Sequence, residues 1–155
     1  MVPRHFTNIR TLLDHIGRGA RALDIALRTL VVRDVADYDA AFAAMSNEQA
    51  DAVIHQPSLP RTRAIELARQ HHLLSFSPQR AFAEEGGVLS YSNSFVAQYR
   101  LVAGYIDKIL KGRKPADLPA EQPTTFELVI NMKTAKALGL AIPPSILTRA
   151  DEVIE

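Results

Sequence analysis

The stretch that most restricts this chain is a long helical period set between two strand-like runs and followed by a proline-rich tract. After Gly86-Gly87 come the apolar pair Val88-Leu89 and the polar Ser90-Tyr91-Ser92-Asn93. Phe95, Tyr99, Val102, Ile106 and Ile109 then recur at i, i+4, i+7, i+11 and i+14, with Ala103 and Leu110 widening the stripe, which is helical and not strand spacing. Asn93 or Ser94 suits the first turn, and Lys108, Lys111 and Gly112 suit the last. The tract Lys114-Pro115-Ala116-Asp117-Leu118-Pro119-Ala120-Glu121-Gln122-Pro123 is extended and long enough to carry the chain elsewhere in the molecule. It leads into a strand, Phe126-Glu127-Leu128-Val129-Ile130, and a short helix from Lys133 to Leu138 stopped by Gly139. Pro143 and Pro144 precede a last helical turn or two.

Upstream the same alternation holds. Asn8 to Ala26 has helical spacing interrupted by Gly17 and Gly19, each costing on the order of 1 kcal/mol, so fraying or a break is expected there. Strands are expected at Arg28 to Arg33, where Leu30-Val31-Val32 is short and β-branched, at Ala52-Val53-Ile54, and at Leu73 to Phe76. Helices are expected from Tyr38 to Gln49, burying Tyr38, Ala41, Phe42 and Met45, and from Pro60 or Arg61 to His71, with Ile65, Leu67 and Ala68 inward. A short helix is expected to end at Glu85. Strands alternating with helices at this spacing predict an open, mostly parallel sheet with helices on both faces and right-handed crossovers. The almost wholly apolar Ala52-Val53-Ile54 fits a strand covered on both sides.

The 155 residues suffice for one domain burying roughly 70% of its unfolded surface. Apolar residues make up 47% and charged ones 23%, which argues against disorder. A formal net charge of +1 singles out neither nucleic acid nor an anionic surface. Without cysteine there are no disulfides, no thiolate chemistry and no Cys-bearing zinc sites. No segment approaches the roughly 20 apolar residues that cross a bilayer. Thr11 to Gly19 contains Asp14, His15 and Arg18 where an export signal needs an apolar core, so the N-terminus by itself reads as cytoplasmic.

The ordered matches Gly86-Gly87 to Tyr91, Tyr105 to Gly112, Pro115-Ala116-Asp117-Leu118-Pro119, Phe126 to Asn131, Lys133 to Leu140 and Ile142-Pro143-Pro144 carry a resemblance. Dense from about Ala36 onward, it is to the C-terminal part of the substrate-binding proteins of ABC transporters related to the tryptophan and tyrosine binders. These have the two-lobed type I periplasmic binding protein fold. The resemblance implies the C-terminal lobe of that fold with the N-terminal lobe, the export signal and the first strand of the second lobe missing. It further implies a non-enzymatic, cofactor-free importer component that hands a small solute to a membrane permease from the periplasm. Residues 1–85 and 126–155 would form the lobe's core. Residues 113–125 would be a crossover linker, and the strand and helix of 86–112 would belong to the other lobe.

Four or five large side chains of the 95–112 stripe, each with about 150 to 200 Å² to bury, represent of the order of 15 to 20 kcal/mol as an upper bound. That helix is therefore expected to fold back on its own lobe or to pair with a second copy of the chain. The rival function is a cytoplasmic remnant or interaction module acting through the helix.

In an open α/β sheet ligands lie beyond the carboxyl ends of the strands. This singles out His55, Gln56 and Ser58, then Ser77 and Arg80, then Tyr91, Ser92 and Asn93. Tyr91 offers a stacking plane, the Ser and Asn side chains neutral hydrogen bonds, and Arg80 a bidentate partner for a carboxylate. The inventory suits an amino acid or another small carboxylated metabolite. Each residue type is also an ordinary turn or cap residue at a strand end. Adjacent His71 and His72 cannot form an i, i+4 ligand pair, and no phosphate loop or Gly-x-Ser-x-Gly nucleophile context is present, so metal and hydrolase readings are set aside. The short Lys108 to Lys114 basic cluster reads as a solvated helix end and not a nucleic-acid patch.

Overall fold

The computed structural model describes residues 6–155, with side chains from Thr11 onward. It divides into two compact units, residues up to Val31 and Val32–Glu155. In the first, one helix, α1 (Phe6–Ala22), runs unbroken through Gly17 and Gly19, contrary to the expected interruption, and residues 23–31 after it are non-helical. Its end is closed by Ile25 N donating to Ala20 O at 2.8 Å, with Asp24 in a left-handed conformation at φ 54°.

The second unit runs α2 (Tyr38–Asn47), β1 (Ala52–Ile54), α3 (Arg61–Gln70), β2 (Leu74–Ser77), α4 (Arg80–Glu84), β3 (Leu89–Asn93), α5 (Phe95–Leu110), β4 (Phe126–Asn131), α6 (Met132–Ala137), α7 (Pro144–Leu147) and β5 (Glu152–Ile154). The sheet order is β1-β2-β3-β4-β5. The β1, β2 and β3 strands are parallel, β4 is antiparallel to β3, and β5 is parallel to β4. This is an α/β fold with a mostly parallel sheet flanked by helices, and 126–130 joins the same sheet as 52–54 and 74–76, as expected.

Why these segments form these elements follows from their periods. In α2, Tyr38 and Phe42 are one turn apart and both buried. In α3, Ala64, Ile65, Leu67 and Ala68 form one apolar face. Leu73, Tyr38, Phe42, Ala64, Leu67 and Ala68 make a continuous core, with Val53 of β1 and Val32 packed on it. Registers of Val53 with Ser75 and Ser77 with Ser90 put those residues on the sheet face that meets the helices. There Phe82 of α4 is wholly buried.

Four expectations are corrected. Arg28 to Arg33 is not a strand: Val31 is 77% exposed and no ladder reaches it, since a β-branched run without a neighbour to pair with has no sheet to join. The Ala52-Val53-Ile54 strand is not covered on both faces, because β1 is an edge strand and Ile54 is 49% exposed. The 88–91 strand does not leave this sheet; β3 is its central strand, and only α5 stands apart. Finally, α5 has not folded back on the sheet: none of its residues is buried, and Tyr99, Val102 and Ile106 are 72, 49 and 51% exposed.

The excursion that carries α5 leaves and re-enters at one point. Asn93 pairs with Phe126, and Ser94 N donates to Thr125 O at 2.9 Å, so both ends of the segment are fixed side by side. Further out, Tyr105 Oη donates to Pro119 O at 2.7 Å and holds the returning proline-rich segment along the helix.

Candidate functional site

Strand polarity brings together one polar edge. The carboxyl ends of β1, β2 and β3 lie beside the amino ends of β4 and β5, because β4 runs against β3 and β5 runs with β4. His55, Ser77, Asn93, Phe126 and Glu152 therefore share this edge.

At its centre is Arg80, in the first turn of α4. The guanidinium donates through Nε to Glu84 Oε1 at 2.7 Å and through Nη2 to Glu152 Oε2, and its Nη1 lies 3.3 Å from Glu127 Oε1. These carboxylates push the Arg80 pKa well above its ordinary value, chiefly through the hydrogen bonds to Glu152 and Glu84. One cation among three carboxylates leaves the cluster negative. Arg80 reaches a ligand carboxylate only by exchanging one of these partners.

The other predicted residues divide between the two sheet faces. Alternation along β3 sends Ser90 and Ser92 toward α4 and Tyr91 and Asn93 to the opposite side. Tyr91 is half exposed and stacks on Phe126, ring centroids 5.6 Å apart at 20°. Ser92 Oγ donates to its neighbour's carbonyl, Asn93 O, at 3.3 Å. Gln56 and Ser58 lie in the loop after β1, whose turn is closed by Leu59 N donating to Gln56 O at 3.1 Å. Ser77 is fully buried with no partner for its hydroxyl. The edge thus gathers Ser77, Arg80 and Ser92 on the α4 side, while Gln56 and Ser58 stand at its β1 end and Tyr91 and Asn93 face away.

His55 is the most enclosed titratable group on this edge, 6% exposed. Its ring stacks on Phe82 at 5.4 Å and 17°, and its Nε2 lies 3.4 Å from Tyr38 Oη, which donates to Pro60 O at 2.8 Å. Burial, with the nearby Arg61 cation adding to it, lowers the His55 pKa, while the Pro60 carbonyl acts against them. Burial raises the pKa of Tyr38. Sequence reasoning placed His55 at the edge but did not show how enclosed it is, and it missed Gln79, Glu127 and Glu152. The strand-end position of Gln79, two residues past Ser77, was the available signal. Among the described residues no group of three or more His, Asp and Glu side chains is placed to hold a metal ion.

A family model described as ABC transporter substrate binding protein matches residues 3–154. The chain belongs to that family. Three solved structures show how far the likeness of this chain extends. A conserved domain protein from Vibrio cholerae is 25% identical with a TM-score of 0.81, over 94% of this chain and 50% of its own. An ABC domain from Streptococcus pneumoniae in complex with L-Trp is 24% identical with a TM-score of 0.78, over 95% and 51%. The ligand-free, open form of a substrate binding protein with adhesive properties from Clostridium difficile is 14% identical with a TM-score of 0.71, over 95% and 50%. The chain spans about half the length of each of these structures. No curated protein matches it significantly. The family is generally non-enzymatic and typically periplasmic or extracellular, and no described helix is long and apolar enough to cross a membrane.

Proposed function

We propose that this chain forms one solute-recognising half of the binding component of an ABC importer, taking an amino acid or a small carboxylated metabolite at the polar sheet edge and delivering it to a permease. The observation that carries the reading is the convergence of the ends of β1, β2 and β3 with the starts of β4 and β5 on one edge, in a chain of this family. The L-Trp complex of the pneumococcal neighbour supports the choice of an amino acid. Gln56, Ser58, Ser77, Arg80, Tyr91, Ser92 and Asn93 are the proposed contacts, with Tyr91 extended by its stack on Phe126. Because one lobe encloses a solute only from one side, affinity is low until a complementary half closes over it.

A second reading rests on α5. Its apolar residues are exposed along the whole helix, so α5 serves as a docking surface, either for the counterpart of the half that the structural neighbours carry in addition, or for a second copy of this chain. An interaction module without transport function remains the rival built on the same surface.

A thermal-shift screen against amino acids and small carboxylates tests the first reading. A cognate solute at 100 times its dissociation constant adds about 2.7 kcal/mol of stability. A panel in which none stabilises the protein rejects solute capture by this chain and leaves the docking role of α5.

A further inference from the structure

Among the described residues, the buried side-chain polar atoms that lack a hydrogen-bond partner are His55 Nδ1, Ser77 Oγ and Gln79 Oε1. All three belong to one corner of the fold. His55 N donates to Phe76 O at 2.8 Å, which continues the β1–β2 ladder and sets His55 beside Ser77 on the α4 face. Gln79 is the residue that caps α4; Phe82 N donates to its carbonyl at 2.9 Å, and the Phe82 ring is the one stacked on His55.

The hydrogen-bond sense at this corner is fixed by its neighbours. Since Tyr38 Oη donates to Pro60 O, its oxygen is left to accept from His55, so the proton of the neutral imidazole sits on Nε2 and Nδ1 is a bare acceptor. Gln79 Oε1 is an acceptor by its chemistry, and Ser77 Oγ can accept as well as donate. Two bare acceptors and a hydroxyl call for a group carrying several N–H donors. A carboxylate, which only accepts, leaves both acceptors unmet. The adjacent Arg80 cluster, one cation against Glu84, Glu127 and Glu152, adds a negative field that favours a cation. Gln79 is itself partly exposed, while its Oε1 is enclosed, so the corner lies just beneath the surface at this residue.

We propose that this corner receives the primary ammonium group of the bound ligand, with His55 Nδ1, Ser77 Oγ and Gln79 Oε1 as its three acceptors. The assignment rests on the solute-binding reading above and gives this chain the amine-recognising share of it.

The test follows the His55 imidazole nitrogens by NMR in the labelled full chain, with methylammonium chloride and sodium acetate as probes and sodium chloride as the salt control. Saturable movement of the Nδ1 resonance toward its hydrogen-bonded position with methylammonium, and none with acetate, is the expected result. Ser77→Ala and Gln79→Leu should each weaken the methylammonium response by about tenfold while His55 keeps its Nε2–H tautomer. A resonance already in the hydrogen-bonded position and unmoved by methylammonium means that an internal water satisfies the corner, and overturns the proposal. A response to acetate in place of methylammonium overturns it too. Stabilisation by amino acids with His55 unmoved removes the ammonium assignment alone, whereas a methylammonium response without stabilisation by any solute removes the solute-binding reading alone.

Discussion

Asn131 ties the end of β4 to α4: its Nδ2 donates to Ala83 O at 2.9 Å, while its Oδ1 accepts from Thr134 N at 2.9 Å and caps α6. One buried side chain, 5% exposed, thereby joins the antiparallel strand to the helix beneath the polar edge. Replacing Asn131 by Ala removes the cap and one of the two donors to the Ala83 carbonyl, which keeps Gly86 N at 3.2 Å, with an expected loss of about 2 kcal/mol. Asn131→Asp keeps the cap and loses only the donor, so it turns a carboxylate toward that carbonyl. Urea denaturation of the two variants separates the contributions, and equal stability of Asn131→Ala and the parent chain contradicts the assignment.

Gly87 permits a contact that no other residue allows. A Cβ at this position would overlap the Phe82 ring and stand 2.8 Å from Phe82 O, to which Gly87 N already donates at 2.8 Å. Phe82 is fully buried against His55 and cannot yield without moving α4. Gly87→Ala is expected to cost about 3 kcal/mol, read as a lower denaturation midpoint at unchanged slope.

His55 makes stability depend on pH with a definite sign. Burial lowers its folded-state pKa, so between that value and the ordinary 6.5 the unfolded chain binds the extra proton. The His55 contribution is complete above pH 6.5 and is lost as pH falls toward the folded pKa, at no more than about 1.4 kcal/mol per pH unit. Denaturation curves at pH 7.5 and pH 5.5 should show this loss, and His55→Leu should flatten it. An unchanged pH slope in that variant counts against the buried neutral histidine.

The exposure of α5 sets its mutational behaviour apart from that of the sheet. Val102 and Ile106 are half exposed, so changing both to Glu should alter the stability of the chain by only about 0.5 kcal/mol. The same change should abolish any self-association seen in sedimentation as concentration rises. A large loss of stability in the monomer would instead mean that α5 packs on its own sheet.

Much of this arrangement was legible because it is local. The i, i+4 spacing of Tyr38 and Phe42, the Ala64 to Ala68 face and the 95–110 stripe each state a helix within a few residues, and Gly112 and Gly139 mark ends where φ turns positive, at 94° and 69°. The run from Phe126 to Asn131 reads as a strand for the same reason, and the strand-end rule led to Ser77, Arg80 and Tyr91. The short β5 was missed because Glu152-Val153-Ile154 carries too few residues to show a period and becomes a strand only by pairing with Val129 to Asn131.

From sequence alone come the succession of strands and helices, the family, and the residue types at the strand ends, since each depends on neighbours along the chain. Tertiary structure alone decides that Leu30-Val31-Val32 finds no partner, that β3 is central, and that Tyr91 and Ser77 face opposite ways. It also decides that Arg80 is already held by Glu84, Glu127 and Glu152. The physical reason is that pairing, burial and charge compensation are properties of residues distant in sequence: Arg80 meets Glu152 across 72 positions, and no period within either segment encodes the encounter.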